Sequence, residues 1–448
     1  MAAKVQTEGA LRRQLGLRSA TAILVGEIIA VGIFLTPAGM AKSLGSPLLL
    51  LLVWVVMGAM ALCGALCYAE LAARFPEAGG GYVYLREAYG PQVAFLYGWM
   101  SLLVLDPGLT AALAIGMAEY LGYIVRLSAL GVKALAVGAI IALAAANILG
   151  VRTGAGLVRL LTVLKTGMLL LIIAWGFGGG FGSWANLTPV WERAEGSMPL
   201  WAALASGMVS AFFSFGGWWD LTKVAGEVRD PARTLPRALI YGVLLVTMLY
   251  ILTSAVFLYL VPVGRVATGE TFAAQAGEAL FGRLGGRVFS SIVIVSVLGS
   301  LAAIIMAAPR VYYAMARDGL FLSSVARLHP VTHTPARAII TQAALASLLV
   351  ALGTFNQIIA YFIFVAVCFV ALTVASLFVL RRKVGQPAAL YRTPAYPLTP
   401  VLFLSMVAVL LLLLAANSPG QEFLGVAVVA LGVPVYHLIF RRRGSSEK

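Results

Sequence analysis

GEIIAVGIFLTP, residues 26–37, and FFSFGGWWDL, residues 212–221, are two apolar stretches interrupted by glycine near the middle of what would otherwise be continuous helices. Gly26 and Gly32 bracket the first interruption, with Pro37 one turn later, and Gly216 and Gly217 stand together in the second. Glycine costs about 1 kcal/mol relative to alanine inside a helix and permits backbone angles that open the hydrogen-bond ladder. Amides and carbonyls freed in this way inside a bilayer are tolerated only where they line a cavity or meet a solute. One such glycine alone reads better as close helix packing. Two in matching places do not: Gly26 and Gly216 open the first helices of two five-helix blocks, 19–177 and 200–380. Paired interruptions in two halves point to a binding site at the repeat interface of a transporter. Half-helix N-termini offer amides to an anion and half-helix C-termini offer carbonyls to a cation, a combination that suits a zwitterion.

The rest of the chain agrees with a membrane setting. Of its 448 residues 61% are apolar and 11% charged, with a mean hydropathy of +0.96. A soluble domain carries roughly 25% charged residues, so this chain has too little charge to cover a water-facing surface. At about 20 apolar residues per crossing plus a loop, the length accommodates about twelve spans. Apolar runs predict helices at 19–42, 47–73, 91–121, 131–149, 157–177, 200–225, 236–261, 287–315, 337–353, 357–380, 398–416 and 423–440. The expected organisation is an all-α membrane protein. A tail over 1–18 precedes the ten-helix core over 19–380, helices 11 and 12 occupy 381–440, and a tail follows over 441–448. No cleavable leader is read at the start.

The net charge of +15 would suggest nucleic acid in a soluble chain. Here 24 of the 32 basic residues fall in alternate loops and tails that share one side, seven fall on the other, and Lys165 lies within a span. The positive-inside rule therefore predicts cytoplasmic termini and accounts for the charge without nucleic acid. The basic run Arg441 to Arg443 is read as part of this bias ahead of lipid recognition. Cys63, Cys67 and Cys368 all fall inside apolar spans, so neither a disulfide framework nor a zinc site is expected.

The two interrupted stretches, with FPEAGGGYVYLREAYG (75–90), FSFGGWWDLTKVAGEVRDPARTLPRAL (213–239), ARDGLFLSSVARLHPVTHTPARAI and YRTPAYPLTPVLF, resemble the amino acid–polyamine–organocation superfamily. The likeness is to its L-type amino acid transporter branch and bacterial relatives, over about Gly26 to Phe403. It implies a LeuT-like five-plus-five inverted repeat with broken helices 1 and 6, twelve helices, and an amino acid substrate. Carried over by position, it implies that the substrate carboxylate meets amides of Val31, Gly32 and Ile33. The ammonium would meet carbonyls of Ile28, Phe213 and Gly216, with Phe213 also a gate. Trp218 and Trp219 stand beside the second break as candidate lining residues. Two departures bear on the substrate: Ala30-Val31-Gly32 replaces the usual Gly-Ser-Gly, and Trp219 stands where relatives often carry Asn. Both shrink or dry the pocket and favour a small or apolar neutral amino acid. The human branch binds a single-span partner through a loop cysteine, and none lies between helices 3 and 4 here, so no disulfide-linked partner is expected.

Ionisable residues within spans are functional hypotheses by default. Lys165 reads either as a side chain snorkelling to the interface or, as the resemblance implies, as an ammonium filling a place that sodium occupies in other members. In the second case it ties helix 5 to the first break and to helix 8 near Ser296 and Ser300, and transport needs no sodium. Glu27, Asp106 and Asp220 are candidates for proton coupling, since an acid at low dielectric can carry a proton. Their alternative is a structural role beside Lys165 or the freed amides. Glu227 is read as part of an inner gate with Arg229, Arg233 or an arginine of another loop, against a solvated surface charge.

Other signals weigh little. Gly79–Gly81 and Gly178–Gly180 lack the Gly-Lys-Ser/Thr ending of a phosphate loop. His329 and His333 are separated by Pro330, which discourages a shared helical face for a metal. No cofactor is expected. The function predicted is secondary transport of an amino acid, with polyamine or amine transport as the rival within the class. Beyond it, a non-transporting sensor would need a sizeable soluble extension, and an intramembrane hydrolase a catalytic constellation that the spans lack; an enzyme is not expected. The setting predicted is a cell membrane, with lipid, substrate and protons as the partners.

Overall fold

The computed structural model describes residues 11–188, 193, 198–263, 272–352, 355–383, 391–417 and 419–440. Among these the chain is helical and has no strand; its single β-type contact joins Leu15 to Val228. In chain order the helices are α1 (Leu17–Ile28), α2 (Gly32–Leu44), α3 (Pro47–Arg74), α4 (Gly81–Tyr89), α5 (Pro91–Met100), α6 (Asp106–Ile124), α7 (Ala129–Ile148), α8 (Val151–Gly178) and α9 (Leu200–Phe215). They continue with α10 (Pro231–Leu260), α11 (Phe272–Phe281), α12 (Gly285–Ala307), α13 (Pro309–Arg317), α14 (Ala336–Leu352), α15 (Phe355–Lys383), α16 (Leu398–Asn417), α17 (Pro419–Ala430) and α18 (Gly432–Val435).

Among the described residues, nine helical stretches are long and apolar enough to cross a membrane, and ten when α1 and α2, bent by 42° at their break, count as one. Two more apolar helices, Ala336–Leu352 and Gly425–Phe440, are shorter. Leu160, Val163 and Leu171 on α8 stand more than half exposed. An apolar outer face of this kind belongs against acyl chains and not against water. Inside, α3 packs along α10, α2 along α9, and α1 against α8, α10 and α12. The centre of the bundle is thus built around the two interrupted helices.

Several boundaries differ from those read in the sequence. The 200–225 helix ends at Phe215 and resumes as a 3-10 segment, Trp218–Glu227. The 91–121 helix contains a π-helical turn, Ser101–Leu105, directly before Asp106. The N-terminal tail over 1–18 is partly docked: the amides of Gln14 and Leu15 donate to the Glu227 carbonyl at 2.7 and 2.9 Å, and Arg229 N–H donates back to Leu15 at 2.8 Å. Residues 1–10, Arg265 and the basic run 441–443 lie outside the described residues.

Candidate functional site at the paired helix breaks

The first break is at Ile29–Val31, three residues beyond Gly26. Gly26 serves packing instead, since a Cβ there would lie 2.6 Å from Thr162 Oγ1 on α8. At the break Ala30 N–H turns back to the Ile28 carbonyl at 2.8 Å, leaving the Gly26 carbonyl without its helical donor. Lys165 Nζ fills that place. It donates to the carbonyls of Gly26 and Ile29, and at 3.1 Å to both the Ser296 carbonyl and Ser300 Oγ. Ser300 Oγ donates to the Gly26 carbonyl at 2.8 Å, and Ser296 Oγ to that of Ile29 at 3.0 Å. Lys165 is fully buried, so it does not snorkel. Its cation sits at the C-terminal end of α1, where the helix dipole favours positive charge. On the other side of the break the amides of Val31, Gly32 and Ile33 begin α2 as first-turn donors with no side-chain cap.

At the second break, Gly216 N–H returns to the Phe213 carbonyl at 3.0 Å and Gly217 takes φ = +100°. A Cβ on Gly217 would lie 2.8 Å from Glu27 Cγ, and one on Gly32 would meet Ser214 Oγ at 2.8 Å. The two breaks therefore lie close enough together that neither glycine has room for a methyl group. Thr36 Oγ1 and Ser214 Oγ, 2.9 Å apart, join α2 to α9. Gly217→Ala combines a left-handed backbone with an intruding methyl group, so a loss of about 2 kcal/mol is expected. Thermal unfolding of the purified variant measures it, and a melting point equal to wild type would show that the turn adopts another conformation.

Between the breaks lies a cavity of about 390 Å³. Its polar rim holds Glu27, Thr36, Ser214, Asp220 and Ser300, with Val31, Gly32 and Gly216 beside them. Its walls are Leu105, Leu109, Leu113, Phe212, Trp219 and Ile304. Phe213, 40% exposed, also borders it. Ile28 lines it too, whereas Ile33 and Trp218 do not. Trp218 is turned into the protein against Tyr68 and Phe403, and Trp219 takes the place at the cavity assigned to it. Two of the three carbonyls expected to receive an ammonium are engaged: Ile28 accepts Tyr250 O–H at 2.9 Å and Phe213 accepts Gly216 N–H.

Beneath the cavity lies a cluster that the sequence reading divided. Lys223, counted there with the loop charges, is 1% exposed and sits 3.1 Å from Asp106 Oδ1 and 2.9 Å from Asp220 Oδ1. Tyr312 donates to Asp106 Oδ2 at 3.1 Å. Asp106 and Asp220 are thus partners of Lys223, not of Lys165. The signal was available, since Lys223 follows Asp220 by one 3-10 turn inside a predicted span. Arg310, also counted with the loops, is completely buried and makes a two-oxygen pair with Glu227 at 2.9 and 3.0 Å. Arg229 and Arg233 are not the partners of Glu227; Arg310 of another segment is.

In a separate cluster, Asp318 accepts Arg86 Nη1 at 2.7 Å and the Tyr82 hydroxyl at 2.8 Å. Burial, and then the neighbouring Asp318 carboxylate, hold the Tyr82 phenol above its ordinary range, so it remains a donor. His329 Nδ1 accepts the amides of Val331 and Thr332, which makes it part of a turn.

A multi-pass helical protein whose paired helix breaks enclose an apolar cavity is built as a solute carrier. The model of the amino acid permease family matches residues 15–434, and the chain belongs to that family. It is 29% identical to the serine/threonine exchanger SteT of Bacillus subtilis (strain 168) over 98% of this chain and 99% of that one. It is 30% identical to the human large neutral amino acids transporter small subunit 2 over 96% and 81%, and 27% identical to the human cystine/glutamate transporter over 96% and 85%. These relatives are transporters and not enzymes, and their names bear out the expected superfamily and its L-type likeness.

Proposed function

We propose that the chain is a sodium-independent exchanger of neutral amino acids with apolar side chains. It works by alternating access in a twelve-span, five-plus-five arrangement within the cell membrane, with both termini cytoplasmic. The observation that carries the reading is the Lys165 ammonium on the carbonyls freed at the first break. A cation is needed there to satisfy a half-helix C-terminus, and a resident one removes the need for a dissolved one. The amides of Val31, Gly32 and Ile33 suit the substrate carboxylate. The Leu105, Leu109, Leu113 and Ile304 wall suits an apolar side chain. Phe213 is the gate on the cavity side, and the Glu227–Arg310 pair is the gate at the opposite end. Exchange is favoured over proton symport because the name of SteT is that of an exchanger, and because Asp106 and Asp220 are committed to Lys223. A polyamine would need acids along its length, and the cavity walls beyond Glu27 and Asp220 are apolar.

Uptake of radiolabelled leucine into reconstituted vesicles tests this. Uptake is expected only into vesicles preloaded with the same amino acid, and at an equal rate when choline replaces sodium. Collapse in choline would remove the role given to Lys165. Uptake into empty vesicles driven by an inward proton gradient would make the protein a symporter and give Glu27 the proton.

A further inference from the structure

Glu27 is the acid that the arrangement above leaves unused. It is 92% buried, its Oε2 has no hydrogen-bond partner, and it lines the cavity. Lys223 serves Asp106 and Asp220, and Lys165 bonds carbonyls and a hydroxyl. Gly217, which has no side chain, lets the Glu27 stem lie across the second break, 2.8 Å from where a Cβ would stand. A side-chain hydrogen bond joins Glu27 to Asp220, which already pairs with Lys223. A buried carboxylate oxygen without a donor is costly, and the cavity is a side from which a donor can reach this one. Meanwhile the Ile28 and Phe213 carbonyls already have donors of their own.

We propose that Glu27 is the counter-ion for the substrate's ammonium group, so that the cavity binds primary amines with an apolar tail even when they lack an α-carboxylate. This rests on the reading of the cavity as the substrate site, and it adds a side-chain carboxylate to the recognition of the ammonium. An amine head meets Glu27 on the rim between the breaks, and its tail runs along Leu105, Leu109 and Ile304. A second ammonium along that wall would have no acid to meet, so diamines are excluded.

The test uses the full-length protein in nanodiscs and calorimetric binding of four probes: L-leucine, isoamylamine (leucine without its carboxylate), 4-methylpentanoate (leucine without its ammonium) and putrescine. Wild type is expected to bind isoamylamine and not putrescine. Glu27→Gln should weaken isoamylamine and leucine at least tenfold and leave any binding of 4-methylpentanoate unchanged. Glu27→Asp, which keeps the charge on a shorter stem, should recover part of the loss and guards against a variant that fails to fold. Isoamylamine silent in wild type, or bound equally by Glu27→Gln, overturns the proposal whatever leucine does. Isoamylamine bound through Glu27 while leucine and other amino acids are silent would instead sink the amino acid reading and leave this one standing.

Discussion

Lys165→Met is expected to cut amino acid transport at least twentyfold and to lower stability by about 2–4 kcal/mol. The methionine stem fills the same space but donates nothing, so Gly26 and Ile29 lose the ammonium, while Ser296 and Ser300 still donate to them. A buried acceptor left without a donor costs about 1–3 kcal/mol, and the hydroxyls offset part of that for two carbonyls. The half-helix also loses its positive partner, an effect that reaches about 2 kcal/mol in partly buried geometry. Transport should fall because the break loses the contact that holds α1 to α8 and α12. Thermal unfolding and uptake, measured on the same preparation, check both parts. A variant that unfolds like wild type would show that Ser296 and Ser300 suffice, and would reduce Lys165 to a space-filling residue.

The second large effect is expected at Glu227 and Arg310. Both side chains are wholly buried, and removing one partner leaves a charge in low dielectric, at a cost of about 3–5 kcal/mol. Arg310→Met and Glu227→Gln should each be strongly destabilised. The double variant Glu227→Leu/Arg310→Met should recover most of the loss, because an apolar pair of similar volume removes the orphaned charge. A double-mutant cycle on unfolding free energies should return a coupling of about 2 kcal/mol or more. If the pair is the latch proposed above, a cysteine placed at Leu109, which lines the cavity, should react faster with a soluble thiol reagent in the double variant than in a protein carrying that cysteine alone. Losses that simply add would show that the pair is not a unit.

Much of this site was legible because unusual chemistry inside a span has few explanations. Glycines paired across two halves and a lysine within a helix can be recognised without coordinates, and both breaks fall within three residues of the positions read from sequence. What escaped depended on direction. Trp218 and Trp219 are neighbours, but on a 3-10 helix one step turns a side chain by about 120°, so one faces Tyr68 and the other the cavity. Lys223 and Arg310 were counted toward topology because a charge near the end of a span looks the same whether it faces water or an acid 117 or 83 positions away. The π turn at Ser101–Leu105 that sets Asp106 has no residue signature of its own.

Tyr250 has one proton for two carbonyls. Its oxygen is 2.9 Å from both Ile28 and Ser214, the closing turns of the first halves of the two interrupted helices, and its ring is wedged against Trp54 and Phe215. A hydroxyl can swing its hydrogen between two acceptors without losing a bond. If α1 draws away from α9, the tyrosine keeps full satisfaction with whichever helix it follows. At this point the number of bonds is indifferent to which helix moves, and the resistance to separation comes from packing and from the polar pairs farther out.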